Sequence, residues 1–112
     1  VSHSQRETLL VRRIRRAIEE RWPAAVVVKI AGGPYQQSGL PDLLVILLGR
    51  LICLEVKAPQ PGESEEHARS RATVLQQATL DRLHEAGAIT AVVVSVEEAL
   101  ALVAQAEVGM VD

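Results

Sequence analysis

The chain has 112 residues, 48% of them apolar and 23% charged, which suits one domain with a buried core and excludes general disorder. Its only aromatic residues are Trp22 and Tyr35, which excludes an aromatic base-stacking platform, and its single cysteine, Cys53, excludes an internal disulfide and fits a reducing compartment. The net charge of −2 argues against a globally basic nucleic-acid binder, but residues 1–57 hold nine Lys/Arg against five Asp/Glu, while residues 58–112 hold three against nine, an asymmetry that predicts a positive face.

Ser4-Gln5-Arg6-Glu7 reads as a capping box that opens a first helix. Leu10, Ile14, Ala17 and Ile18 recur at helical spacing, Arg12, Arg13, Arg15 and Arg16 fill the other face, and Trp22-Pro23 ends the helix. Ala24–Ile30 is a short β-branched run and predicts a strand. Residues 31–41 form a loop rich in Gly and Pro. Leu43–Leu48 and Leu51–Val56 are two strands joined by a turn at Gly49-Arg50. Residues 58–71, with two prolines, a glycine and mixed charge, predict a mobile surface loop. Thr73-Val74-Leu75-Gln76 is a second capping box, and the helix it opens carries Leu75, Ala78, Leu80 and Leu83 before Gly87 closes it. Ile89–Val94 is a strand. Ser95-Val96-Glu97-Glu98 opens a last helix through about Ala106. The predicted order is α-β-β-β-α-β-α. The two middle strands are apolar on both alternating faces, as in a sheet covered on both sides. The fold class is therefore α/β: one domain over 1–112, a mixed sheet with a central β-hairpin, flanked by helices.

Against that apolar background stand Asp42, Glu55 and Lys57. A two-residue loop at Gly49-Arg50 puts Leu48 opposite Leu51, Asp42 opposite Lys57 and Glu55 opposite Leu44. Side chains alternate along a strand, so all three charged groups share one face. In this register the diagonal Asp42–Glu55 separation is about 7–8 Å between Cα atoms. Two carboxylates at that spacing suit Mg²⁺, which takes hard oxygen ligands and keeps several waters, with a phosphate substrate alongside. The plainer reading is an Asp42–Lys57 ion pair at a sheet end, worth little if exposed. Glu55 strains that reading, because one lysine must then serve two carboxylates.

Gly39-Leu40-Pro41-Asp42, followed after twelve residues by Glu55-Val56-Lys57, resembles the PD-(D/E)xK nuclease motif. Glu7 on the first helix and Gln76 ahead of Leu83-His84-Glu85-Ala86-Gly87 complete a pattern, in order along nearly the whole chain, that resembles the virus-type replication–repair nuclease (VRR-NUC) domain. The resemblance implies a restriction-endonuclease-like core and a metal-dependent DNA endonuclease using Mg²⁺ or Mn²⁺. It implies metal binding by Asp42, Glu55 and the backbone carbonyl of Val56, and by Glu7 through a water. Lys57 resembles the lysine that orients the attacking water, and Gln76 the glutamine that positions water or substrate. Glu7 and Gln76 also fit the third position of a capping box, which alone would explain them. The single-domain members of this family resemble homodimers acting on branched DNA such as four-way (Holliday) junctions, in DNA repair or recombination. The implied setting is the cytoplasm of a bacterial or phage-infected cell. The alternatives are a flap- or end-specific nuclease targeted by a partner and a non-catalytic nucleic-acid-binding module.

Other candidates are weaker. Arg12, Arg13 and Arg16 are either phosphate contacts or a solvated helix face. Lys29, Tyr35 and Gly39 are candidates for lining the DNA path. Leu100, Leu102 and Val103 on the last helix serve either a dimer interface or the core. His3, His67 and His84 have no metal-ligand spacing, and the glycines match neither a P-loop nor a dinucleotide fingerprint. No apolar run reaches the roughly 20 residues of a membrane span, and no signal peptide is visible.

Overall fold

In the computed structural model, which describes residues 2–31 and 39–108, the first helix α1 spans His3–Arg21. Its capping box begins at Ser2, two residues before the predicted one. Ser2 Oγ accepts from the Gln5 N–H at 3.2 Å, and Gln5 Oε1 accepts from the Ser2 N–H at 2.8 Å. Glutamine at N3 offers the same carbonyl oxygen as glutamate, so the earlier start satisfies the helix end equally well. The consequence is that Glu7 sits beyond the cap and is released from that duty. Val11, Ile14 and Ile18 form the buried stripe of α1. Trp22 closes the helix, its indole N–H donating to Glu107 near the chain's far end.

Four strands follow from the β-branched and leucine-rich runs: β1 (Val26–Lys29), β2 (Leu43–Leu47), β3 (Arg50–Val56) and β4 (Ile89–Val93). They form one sheet in the order β1-β2-β3-β4, antiparallel except for the parallel β3–β4 pair. The hairpin between β2 and β3 differs from expectation. Leu47 pairs with Arg50, so the two-residue turn is Leu48-Gly49, with φ of +52° and +75°. Both values are those of the turn that matches strand twist, and glycine takes its usual second place in it. The register therefore moves by two residues from the predicted one. An even shift keeps every side chain on its predicted face, but it changes who stands opposite whom. Leu48 carries a left-handed conformation unfavourable to a branched side chain, while half exposed. Leu48→Asn should accordingly raise stability by about 0.5–1 kcal/mol in chemical denaturation.

The segment 58–71, predicted as a mobile loop, contains a short helix, α2 (Glu65–Ser70), capped by Ser64. Arg69 ties it to Glu98 at 2.9 Å, and Arg71 pairs with Glu63 at 2.8 Å. Helix α3 (Val74–Glu85) opens on the predicted Thr73–Gln76 capping box. Helix α4 (Val96–Val108) is the last described element, with Ser95 Oγ accepting from the Glu98 N–H. The order among the described residues is thus α-β-β-β-α-α-β-α, one helix more than predicted.

Alternation sorts the sheet's side chains between two cores. Leu43, Val45, Leu47, Ile52, Leu54, Val56 and Val93 pack with α1 and α4. Leu44, Leu51, Cys53 and Val92 pack with Leu80 and Leu83 of α3. This is the two-sided covering that the continuous apolar runs require, a mixed α/β sandwich with a restriction-endonuclease-like core. Val103 is fully buried, and Leu100 and Leu102 are partly buried and pack on the same core. Among the described residues, no helix is long and apolar enough to cross a membrane.

Candidate active site

The shifted register is what assembles the site. Leu43 pairs with Leu54, so one step further the ladder sets Asp42 opposite Glu55 rather than opposite Lys57. Asp42 is held from both sides. Its Oδ2 accepts from the Val56 N–H at 2.7 Å, and its backbone carbonyl accepts from the Ile30 N–H at 2.9 Å. Glu55 is 3% exposed and is the one charged residue buried among those described. Its Oε2 lies 3.4 Å from Lys57 Nζ, and its Oε1 is buried with no hydrogen-bond partner among the described residues. An orphaned buried carboxylate oxygen costs of the order of 1–3 kcal/mol or more. A plain ion pair would not leave it so.

The electrostatics follow from that geometry. Burial pushes the Glu55 carboxyl up to about 7, helped by the neighbouring Asp42 charge and opposed by Lys57. Burial also raises Asp42, opposed by the hydrogen bond from Val56 and reinforced by the charge of Glu7. Two facing carboxyls therefore share too little positive charge, with one ammonium beside them. Among the described residues no group of three or more His, Cys, Asp or Glu side chains converges. Two carboxylates with one unpartnered oxygen suit a hard divalent cation that retains much of its own water.

The remaining predicted residues fall in three groups. Glu7 belongs to the neighbourhood: its charge is felt at Asp42, and its carboxylate lies 3.4 Å from both His3 and Arg71. Gln76 is engaged in the α3 capping box, its Oε1 accepting from the Thr73 N–H at 2.9 Å. Gly39 seats the loop before Asp42 on α3. Its φ is +86°, and a Cβ there would stand 2.7 Å from Leu75 Cγ and 3.1 Å from the Leu75 carbonyl oxygen. Gly39→Ala should cost about 1–3 kcal/mol of stability and displace Asp42, visible as a lowered Tm with a disproportionate loss of activity. Arg12, Arg13 and Arg16 are exposed on α1, and Lys29 is exposed at the end of β1. Arg13 and Arg6 line a hollow that reaches Ala58 and Pro59, directly beyond Lys57. Tyr35 lies outside the described residues.

Arg6, Glu63 and Arg71 were not singled out by sequence. Arg6 sits within a capping pattern, and the latter two lie in a segment whose mixed charge reads as solvated loop. Their proximity to the site arises from tertiary packing, and no local spacing announces it.

A solved structure described as a VRR_NUC domain is similar to this chain, at 30% sequence identity and a TM-score of 0.53, over 81% of this chain and 90% of that one. No family model matches the chain, and no curated protein does.

Proposed function

The chain belongs to the VRR-NUC family, and on that premise we propose that it is a metal-dependent endonuclease that hydrolyses DNA phosphodiesters at Asp42, Glu55 and Lys57. The observation that carries this reading is the buried, facing pair Asp42–Glu55, with an unpartnered oxygen on Glu55 and Lys57 beside it. Asp42, Glu55 and the Val56 carbonyl would hold Mg²⁺ or Mn²⁺. When bound, the cation supplies charge neutralisation at the phosphate and a more acidic water. Lys57 Nζ orients the attacking water and faces the charge that develops on the phosphate. Glu7 holds a further water at the edge of the site, and Gln76 helps to position water or substrate. Attack forms the new O–P bond as the bond from phosphorus to the 3′ oxygen breaks. The products carry a 5′-phosphate and a 3′-hydroxyl.

The preferred substrate in this reading is branched DNA, cut by a homodimer whose two-fold axis presents two sites to opposing strands. A 12.1 kDa chain offers little surface to span a junction alone. The exposed Arg12, Arg13, Arg16 and Lys29 supply phosphate contacts, so binding weakens steeply with salt.

The test is cleavage of end-labelled linear duplex, flap and four-way junction in Mg²⁺, Mn²⁺ or EDTA. The expected result is metal-dependent cutting, strongest on the junction. A preference for the flap would replace the junction reading with that of a partner-targeted nuclease. Salt-sensitive binding with no cutting in either metal would overturn the enzyme in favour of a binding module.

A further inference from the structure

We propose that Arg71 is a positioning residue for the site, buckling the chain that leaves β3 and confining the carboxylate of Glu7. This rests on the nuclease reading above and extends it to a residue outside the motif. Arg71 is 21% exposed at its side chain and makes three kinds of contact. Its Nε and Nη2 grip the two oxygens of Glu63 at 2.8 and 3.0 Å. Its Nη2 also donates to the Ala58 carbonyl at 2.7 Å, one residue beyond Lys57. Its Nη1 lies 3.4 Å from Glu7 Oε1 and 3.1 Å from His3 Nε2.

The order of these contacts matters physically. A guanidinium is planar, so engaging Nε and Nη2 on one carboxylate fixes where Nη1 points. Glu63 is itself held as a firm anchor. It accepts from the Gln60 N–H at 3.0 Å and pairs with His67 at 2.6 Å, and its carboxyl is held down to about 2, chiefly by Arg71. The direction left to Nη1 is that of Glu7. His3, one turn earlier on α1, closes a triangle with Arg71 and Glu7 and also meets the Gln60 side-chain amide at 2.7 Å. The buckle thus joins the start of α1 to the strand exit that carries Lys57.

Glu7 needs such a partner. Its negative charge adds to the repulsion already present at Asp42, which stands beside Glu55. With Arg71 in place, Glu7 is both partly neutralised and confined. Without it, the carboxylate swings free beside an already crowded pair of acids, and the Lys57–Ala58 backbone loses a tether. Lysine cannot restore this, because a single ammonium cannot grip Glu63 through two donors while presenting a third to Glu7.

The test compares Arg71→Met, Arg71→Lys, Glu7→Gln and the double variant E7Q/R71M on the DNA that the wild type cuts. Arg71→Met should slow single-turnover cleavage by about 10–100-fold, as loss of a supporting partner does in such sites. The DNA dissociation constant should stay within about twofold, and Arg71→Lys should recover little of the rate. The double variant should be no slower than the slower single one, since Arg71 acts through Glu7. Independent, multiplicative losses, or a loss confined to DNA binding, would overturn the proposal. Glu63→Gln, which keeps the arginine and loosens its anchor, should reproduce part of the effect if Arg71→Met folds poorly. A second readout needs no cleavage: the ¹³C resonance of the Glu7 carboxyl should move in Arg71→Met and in Glu63→Gln. If the wild type cuts no DNA, the nuclease reading alone falls. An unmoved Glu7 resonance would sink the buckle itself.

Discussion

Replacing Lys57 with Met should slow DNA cleavage by about 10²–10⁴-fold while leaving the fold in place. The side chain sits at the mouth of the site, 12% exposed, with Nζ 3.4 Å from Glu55. Its backbone is held independently, the Lys57 N–H donating to the Val93 carbonyl at 3.0 Å. Methionine preserves the aliphatic stem and removes only the ammonium, so packing against the strand survives and the charge proposed to orient the water does not. Asp42→Asn and Glu55→Gln should cost a comparable factor by weakening the cation site. The measurement is single-turnover cleavage beside a melting curve for each variant. A Lys57→Met enzyme within threefold of wild type would remove Lys57 from the chemistry.

The second large effect concerns stability and pH in metal-free protein. The Glu55 carboxyl rises from an ordinary 4.5 to about 7 on folding, chiefly by burial. A raised carboxyl binds its proton more tightly when folded. Its contribution to stability is fully present below 4.5 and is lost as pH rises through about 7. The loss over that window is about 3 kcal/mol, and the raised Asp42 acts in the same direction. Glu63 has the opposite sign: its carboxyl is lowered to about 2, so its stabilisation is lost only as pH falls below 4.5, outside the window. Chemical denaturation in EDTA should therefore show a protein more stable at about pH 5 than at about pH 8. Glu55→Gln should flatten that dependence and stabilise the protein at the higher pH. Added Mn²⁺ should also raise wild-type stability at about pH 8, and raise that of Glu55→Gln far less. Stability that climbed steadily from pH 5 to 8 in wild type would contradict the buried pair.

The sequence carried the parts of the site whose signal is local or periodic. The double-sided apolar runs of β2 and β3 announced a covered sheet, and the Thr73–Gln76 capping box opened α3 where expected. Parity alone placed Asp42, Glu55 and Lys57 on one face, and parity survives a two-residue slip. The pairing itself was not legible. Gly49 can occupy either place in a two-residue turn: first, followed by Arg50, where only the glycine takes positive φ, or second, where positive φ also falls on Leu48. The structure puts it on Leu48, a residue with no turn preference to advertise. That choice turned a diagonal arrangement into a facing one. Ser2 and Ser4 compete for the same cap, and only one frees Glu7. Helix α2 is six residues long, too short for periodicity to stand out, and it depends on Arg69 and Arg71 reaching partners far along the chain. The Arg71 buckle is of the same kind, a meeting of α1, the β3 exit and α2 that exists only once the sheet has formed.

In the proposed function Asp42 and Glu55 face one another to hold a cation. Calorimetric titration of Mn²⁺ into wild type and Asp42→Ala, without DNA, addresses it most directly. A saturable Mn²⁺ site in wild type that disappears in Asp42→Ala is the expected result. No binding in wild type, or binding unchanged by Asp42→Ala, would reduce the pair to an ion-paired sheet end and remove the cation from the proposed chemistry.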